Sequence, residues 1–104
     1  MQRGTVHREF RFTLLWDAGE VYGKEAEGEE LLMQGIVDCL VEEEDGLSII
    51  DYKTDKVFGE DIARRAELYR SQIEAYARSV QRIFGKKVKR KLLYFLRSGV
   101  SAEL

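Results

Sequence analysis

The sequence has few residues of the kinds that cross-link a chain or anchor it in a membrane. Its 104 residues include one cysteine, Cys39, and one histidine, His7. A single cysteine excludes an internal disulfide and favours a reducing, cytoplasmic setting. His7 lies on a different segment, so we interpret Cys39, within an apolar run, as a small core residue rather than a nucleophile. No apolar run approaches the roughly 20 residues that span a bilayer, and the polar start MQRGTVHREF leads us to expect no signal peptide.

The composition is that of a globular chain of one small domain. Apolar residues make up 44% and charged residues 35%, with a net charge of −2, so the total charge makes no case for nucleic acid. The charge is unevenly distributed, however. Residues 17–45 are rich in acid, whereas residues 64–97 hold most of the arginine and lysine, including GKKVKRK at 85–91. This basic second half favours a polyanionic partner.

The apolar pattern predicts a mixed α+β chain in the order β-β-β-α-β. Strands are predicted at residues 6–15, 31–43, 47–53 and 88–96, a loop at 17–30, and one amphipathic helix at 60–84 that ends at Gly85. The last strand, which contains LLYF, is apolar on both faces and is predicted to be central. The chain enters a strand-like pattern almost at once and ends on GVSAEL, a strand barely begun. We therefore expect residues 1–104 to be a single domain excised from a larger protein.

Three charged residues stand among strand-forming residues in GIVDCLVEEEDGLSIIDYKT, at Asp38, Asp51 and Lys53. Asp45-Gly46 is a strong two-residue hairpin signal, and it predicts that Asp38 faces Lys53. Side chains alternate with period two along a strand, so all three project from one face. Gly35, within the second strand, indicates a bulge or a close approach of another group.

Two neighbouring carboxylates repel one another unless a cation lies between them, and oxygen ligands suit Mg²⁺ or Mn²⁺. A lysine at the same place can orient or polarise a water, or stabilise charge that develops on a phosphate. This is equipment for hydrolysing a phosphodiester. The alternative interpretation is a surface salt-bridge ladder from Asp38 to Lys53, although it leaves Asp51 without an obvious partner.

Gln72 and Tyr76 form a second constellation, because residues four apart share a helix face. Arg65 and Tyr69 lie near that face as well. If the helix packs on the hairpin, Gln72 and Tyr76 border the acidic site and can contact DNA. The alternative is that Tyr76 belongs to the core and Gln72 is a polar residue of the helix surface.

GIVD, IIDYKT and QIEAY, in this order, resemble the PD-(D/E)XK nuclease signature in its RecB-like form. The resemblance covers nearly the whole chain and implies a restriction-endonuclease-like, three-layer core. Asp38 and Asp51 would then bind the metal, with the backbone carbonyl of Tyr52 as another ligand, and Lys53 would be the catalytic lysine. Gln72 and Tyr76 would form the motif beside the site or contact DNA. Glu9, in REFRFTL, matches an acidic position of the opening strand, although a solvated strand acid is an equal alternative.

The resemblance also implies a function and exposes two departures. It implies Mg²⁺- or Mn²⁺-dependent cleavage of DNA by a bacterial ATP-dependent helicase–nuclease in end resection, with a partner like AddB or RexB as the second subunit. Val37 replaces the proline of the signature, and His7 does not match the histidine that such sites carry on an upstream segment. No GxxxxGK[ST] motif occurs, so ATP would serve a helicase part outside this chain. We expect this chain to be weak or inactive alone.

Two other functions stay open. One is a non-catalytic module that keeps the nuclease fold for DNA binding or subunit contact. The other is a restriction-like or phage exonuclease relative with the same core. Intact Asp38, Asp51 and Lys53 favour a nuclease, because a degenerate copy would be expected to lose at least one of them.

Overall fold

The computed structural model describes residues 4–104 and confirms an α+β fold, with a five-stranded mixed sheet. The elements in chain order are β1 (Thr5–Asp17), α1 (Ala18–Tyr22), β2 (Glu30–Glu43), β3 (Gly46–Lys53), α2 (Asp61–Leu68), α3 (Arg70–Phe84), β4 (Val88–Phe95) and β5 (Val100–Glu103). A 3-10 turn at Lys24–Ala26 follows α1. No helix in this part of the chain is long and apolar enough to span a membrane.

The strands lie in the spatial order β1-β2-β3-β4-β5. All neighbours are antiparallel except β3 and β4, which are parallel. Parallel strands need a long crossover, and α2 and α3 supply it. β4 lies between two other strands, as its apolar sequence predicts. The short β5 confirms the strand that begins in GVSAEL.

The core consists of two clusters between the sheet and the long helices. One cluster joins β1, β2 and β3 to α3, and its buried members are Phe12, Val37, Leu40, Leu47, Ile49, Ala77 and Val80. The other joins β4 to α2, α3 and the segment after β3, and its buried members are Val57, Ala66, Ile73, Leu93 and Phe95. Tyr76 packs against both clusters. This residue therefore marks the junction between the two halves of the core.

The predicted loop at 17–30 is wrong in part, because it contains α1 and the 3-10 turn. Asp17 is the N-cap of α1 and accepts hydrogen bonds from the backbone N–H groups of Gly19 at 2.7 Å and Gly28 at 3.1 Å. An aspartate in this position stabilises the first turn of a helix. A five-residue helix is too short to show a periodic apolar pattern, which is why the sequence reads as a loop.

The predicted hairpin register is wrong by two residues. Glu43 pairs with Gly46, so the turn is Glu44-Asp45, and Leu40 pairs with Ile49 rather than with Asp51. Gly46 has a φ of 153° and approaches the chain so closely that a Cβ would lie 2.7 Å from the carbonyl oxygen of Lys87. Glycine is therefore required within the strand rather than in the turn. A shift of two residues preserves the face of every side chain, whereas a shift of one would reverse it.

The predicted single helix at 60–84 is two helices, α2 and α3, separated at Tyr69. Tyr69 has φ −94° and ψ −3°, and its N–H donates to the carbonyl of Ala66 at 3.0 Å, three residues back. This tighter hydrogen bond ends α2. α3 then continues to Gly85, whose left-handed φ of 67° confirms the predicted stop.

The alternation of side chains breaks where β1 and β2 pass the position of Asp38. Val37 and Leu40 are both fully buried in the same cluster, although residues three apart on a regular strand point to opposite faces. Glu9, between the paired residues Arg8 and Phe10, has φ 52° and is the one non-glycine residue with positive φ in residues 4–104. The irregularity therefore falls beside the predicted site.

Gly35 marks a close approach, as its position in β2 predicts. A Cβ at Gly35 would lie 2.6 Å from Cε1 of Tyr76 and 2.7 Å from Cζ of Phe12. These rings pack edge to face with centroids 5.6 Å apart. The missing side chain thus lets Tyr76 sit directly on the sheet.

We predict that Gly35→Ala destabilises the chain by about 1–3 kcal/mol, because the methyl group forces two packed rings to move. Alanine is otherwise favoured over glycine in a strand, so the steric term decides the sign. Denaturant unfolding measures the free energy, with the exposed neighbour Gln34→Ala as control. Unchanged or increased stability of Gly35→Ala would contradict this packing.

Candidate active site

The structure brings Asp38, Asp51 and Lys53 together where β2 and β3 separate. Asp51 pairs with the buried Leu93 on β4, and Lys53 with the buried Phe95. Paired residues share a face, so both charged side chains point towards the helices. The Asp51 side chain is 7% exposed and that of Lys53 is 14% exposed. These charges therefore border the core rather than lying on a solvated face.

Asp38 holds the two strands together through its side chain. The β2–β3 ladder ends at the pair Cys39–Ile50, and beyond it Asp38 Oδ2 accepts the backbone N–H of Tyr52 at 2.8 Å. The carboxylate replaces a backbone acceptor, because buried N–H groups need a partner. The predicted ladder from Asp38 to Lys53 is not formed, since the acidic partner of Lys53 is Asp51.

Lys53 is held by groups from the sheet and the helices. Its Nζ lies 2.6 Å from Asp51 Oδ2, donates to Gln72 Oε1 at 3.0 Å, and lies 4.0 Å from the ring centroid of Tyr69. The ammonium group thus meets a carboxylate, an amide oxygen and an aromatic face, all of which favour its charged form. This arrangement fixes the position of the charge in the site.

The Asp51 carboxyl is placed where its charge is costly. Burial raises its pKa, a hydrogen bond with Asp38 adds to the rise and Lys53 opposes it, so the pKa is about 6. Oδ2 is buried and, despite its ionic contact with Lys53, has no partner in hydrogen-bonding geometry within residues 4–104. Two adjacent carboxylates therefore share less positive charge than they need for both to ionise.

Gln72 and Tyr76 lie beside this cluster, on α3. Gln72 Nε2 donates to the Tyr76 hydroxyl at 3.2 Å, while Gln72 Oε1 accepts from Lys53. Gln72 is exposed, and Tyr76 packs on the core. Both predicted interpretations of Tyr76 thus hold together, since its ring belongs to the core and its hydroxyl belongs to the site's hydrogen-bond chain.

Glu9 lies on the side of Asp38 that faces β1. A shallow cleft of about 370 Å³ is lined by Arg8, Glu9, Asp38 and Tyr52. The left-handed backbone of Glu9 costs on the order of 1–3 kcal/mol, and such conformations cluster at functional sites. The structure thus brings Glu9 close to one of the two site carboxylates.

The remaining residues singled out by the sequence lie elsewhere. His7 stacks against Phe10 and Phe84, and its Nε2 lies 3.4 Å from Glu42. Cys39 is buried, as predicted. In the basic segment, Lys86 and Lys89 form ion pairs with acids of the β2–β3 hairpin, so much of its charge is spent within the fold.

Asp55 and Tyr69 are the site residues that the motif misses. The Tyr69 hydroxyl donates to the Asp55 carboxylate and lies 2.9 Å from both of its oxygens, and Arg65 Nη1 pairs with Asp55 at 3.2 Å. Burial and the neighbouring Asp55 raise the pKa of Tyr69, against the opposing charges of Lys53 and Arg65. The sequence offered one signal, the spacing of Tyr69, Gln72 and Tyr76 along one helix face.

The donor set fits a hard divalent cation in part. Asp38 and Asp51 supply adjacent oxygens, and the buried Oδ2 of Asp51 lacks a hydrogen bond. Within the described residues, no group of three or more His, Cys, Asp or Glu side chains is arranged to hold an ion. Mg²⁺ accepts so sparse a protein contribution, because it commonly keeps waters and substrate phosphates as its other ligands.

Two carboxylates and a lysine on adjacent strands of such a sheet define a nuclease of the PD-(D/E)XK type. A family model of the PD-(D/E)XK nuclease superfamily matches residues 2–102, nearly the whole chain. The chain therefore belongs to this superfamily. The resemblance carried by GIVD, IIDYKT and QIEAY is confirmed at the level of the family.

Individual relatives narrow the family, and all three described here are AddA, the A-type polypeptide of an ATP-dependent helicase/nuclease. The chain is 48% identical over 93 residues to that of Carboxydothermus hydrogenoformans, covering 88% of this chain and 8% of the relative. It is 45% identical over 102 residues to that of Desulforamulus reducens, with 95% and 8% covered. The match in Moorella thermoacetica is 44% over 99 residues, with 91% and 7% covered. The chain thus spans less than a tenth of the length of these relatives.

We predict that Asp51→Asn is stabilised relative to the wild type as pH rises. The wild-type pKa is raised from 3.8 to about 6 by folding, so the stability from the protonated carboxyl is present below the lower value and lost as pH rises through the higher one. Asparagine cannot titrate. Without metal, the free energy of unfolding of the variant should therefore gain about 2–3 kcal/mol on the wild type between about pH 4 and about pH 7.

Denaturant unfolding in the presence of a chelator measures this difference. Glu60→Gln, a change at an exposed acid outside the site, is the control and should show no such trend. A pH-independent difference between Asp51→Asn and the wild type would contradict the burial of a costly charge at Asp51.

Proposed function

We propose that this chain is the catalytic core of a metal-dependent deoxyribonuclease that hydrolyses phosphodiester bonds in DNA. The observation that carries the proposal is the contact of a buried carboxylate, Asp51, with both a second carboxylate and a lysine. A structural ion pair needs neither the second acid nor the buried oxygen without a hydrogen bond. Membership of the nuclease superfamily supports the same conclusion.

Each site residue has a proposed role in this reaction. Asp38 and Asp51 hold Mg²⁺ or Mn²⁺, with the Tyr52 carbonyl as a further ligand and Glu9 as an additional acid on the same side. The cation, when bound, polarises the scissile phosphate and lowers the pKa of a bound water. Lys53 orients the attacking water or stabilises charge on the phosphate.

The helix face contributes to the same site. Gln72 holds Lys53 through its amide oxygen and is itself linked to the Tyr76 hydroxyl. Both polar groups stand at the edge of the site, where they can also meet a DNA phosphate or base. A non-catalytic module would bind DNA without needing these contacts to the lysine.

The wider setting is proposed from the relatives. Their names describe ATP-dependent helicase/nucleases, and we propose that this chain acts in such a bacterial enzyme during end resection and recombinational repair. ATP would serve the helicase part, and a partner like AddB or RexB would complete the complex. The enzyme would work in the cytoplasm, where its substrate DNA lies.

We predict that the chain binds Mn²⁺ and that Asp51→Ala weakens this binding by at least about 10-fold. Removing one of two carboxylate ligands costs at least as much as removing a group that orients a ligand. Isothermal calorimetry measures the affinity near neutral pH, where Asp51 is ionised.

Glu60→Ala, which removes an exposed acid outside the site, is the matched control and should bind Mn²⁺ as the wild type does. Glu9→Gln in the same titration tests the additional acid. Absence of Mn²⁺ binding, or binding that Asp51→Ala leaves unchanged, would refute the metal site and favour a non-catalytic module.

We predict that Lys53→Ala in the full-length gene product abolishes cleavage of linear DNA while ATP hydrolysis is retained. The lysine acts only at the phosphodiester, so its loss should cost about 100-fold or more in the cleavage rate. Parallel assays of DNA fragments and released phosphate measure the two activities. Loss of both would point to misfolding, and retention of both would sink the proposed role of Lys53.

A further inference from the structure

The ammonium group of Lys53 rests on an aromatic ring that the nuclease signature does not include. Tyr69 places its ring centroid 4.0 Å from Nζ, in a contact separate from those that the lysine makes with Asp51 and Gln72. A cation over a ring face is attracted by about 0.5–2 kcal/mol, more when both are shielded from water. The Lys53 side chain is only 14% exposed, so water weakens this contact little.

The ring is itself fixed at its far end. The Tyr69 hydroxyl donates to Asp55, and it lies 2.9 Å from each carboxylate oxygen. Arg65 on α2 binds the same carboxylate at 3.2 Å, and the Asp55 side chain is 15% exposed. A hydrogen bond to a carboxylate is roughly twice as strong as a neutral one. The ring therefore has one preferred position beside the lysine.

The backbone supports this placement. α2 ends and α3 begins at Tyr69, and the break turns this residue towards the segment that follows β3. Asp55 lies on that segment, two residues beyond Lys53. The strand that carries the lysine therefore also leads directly to the group that anchors the lysine's aromatic support.

We propose that Tyr69, anchored by Asp55, is a positioning residue that holds the Lys53 ammonium group in the geometry required for phosphodiester cleavage. The inference rests on the proposed function for its catalytic consequence, but its structural part does not. Without the ring, the flexible lysine keeps its charge and its contact with Asp51 but loses one of the groups that confine it. The expected result is slower chemistry at unchanged DNA affinity.

The structural part is tested in this chain by NMR of ¹³C-labelled lysine. Protons above the face of a ring are shifted upfield, so the Lys53 methylene next to Nζ should stand apart from exposed lysines. Tyr69→Leu should move this signal to the position of the others, and Tyr69→Phe, which keeps the ring, should lie between Leu and wild type. Equal signals in Tyr69→Phe and Tyr69→Leu, or no movement in either, would overturn the ring contact.

The catalytic part is tested in the full-length gene product by single-turnover cleavage with Mg²⁺. Tyr69→Leu should lower the cleavage rate constant by about 10- to 100-fold, as expected for misplacement of a catalytic group, with the Kd for DNA unchanged. Tyr69→Phe should lower it less. A wild-type rate in Tyr69→Leu would overturn the inference.

Two controls separate the possible failures. Tyr69 also packs against the cluster of Ala66 and Ile73, so Ile62→Ala, which removes side-chain contacts from the same cluster, shows the effect of lost packing alone. If Ile62→Ala slows cleavage as much as Tyr69→Leu, Tyr69 is only a core residue. Lys53→Ala tests the proposed function itself: cleavage retained there refutes both, whereas cleavage lost there but kept in Tyr69→Leu refutes the positioning role alone.

Discussion

The site depends on the ion pair between Asp51 and Lys53, which is made at the border of the core rather than in water. Two side chains only 7% and 14% exposed lie 2.6 Å apart on one strand. Burying such a pair is favourable only if other groups complete its hydrogen bonds and contacts. Gln72 and Tyr69 complete those of the lysine, whereas Asp51 keeps an oxygen without a hydrogen bond in the described chain. The imbalance leaves the acid, not the base, ready for a further ligand.

The fold prepares this place by interrupting its own regularity. β2 and β3 stop pairing at Cys39 and Ile50, and Asp38 takes over the next backbone N–H with its side chain. On the other side, the alternation of β1 breaks at Glu9, in a left-handed conformation. Tyr76 meanwhile bridges the two core clusters above the sheet, where Gly35 makes room for it. Strand irregularity and core packing therefore converge on the same few residues.

Sequence patterns were sufficient for the faces of the strands but not for their details. The alternation around Leu40 and Ile49 places Asp51 and Lys53 on the helix side, and a register error of two residues leaves this conclusion intact. The break at Tyr69 could not be foreseen, because Tyr69 continues the apolar stripe of a longer helix. Nor could the backbone of Glu9, since non-glycine residues rarely adopt positive φ. Both depend on tertiary contacts between segments distant in sequence.

The surroundings of the lysine come from two short peptides, residues 51–55 and 69–76, separated by thirteen residues. No residue of β1 or β2 touches the ammonium group among the contacts described for residues 4–104. The arrangement can therefore be written as a linear pattern, D-x-K-x-D followed by Y-x-x-Q-x-x-x-Y. Such a pattern can be searched for in uncharacterised genomes, and it would separate proteins with an aromatic support for the lysine from those that hold it in another way.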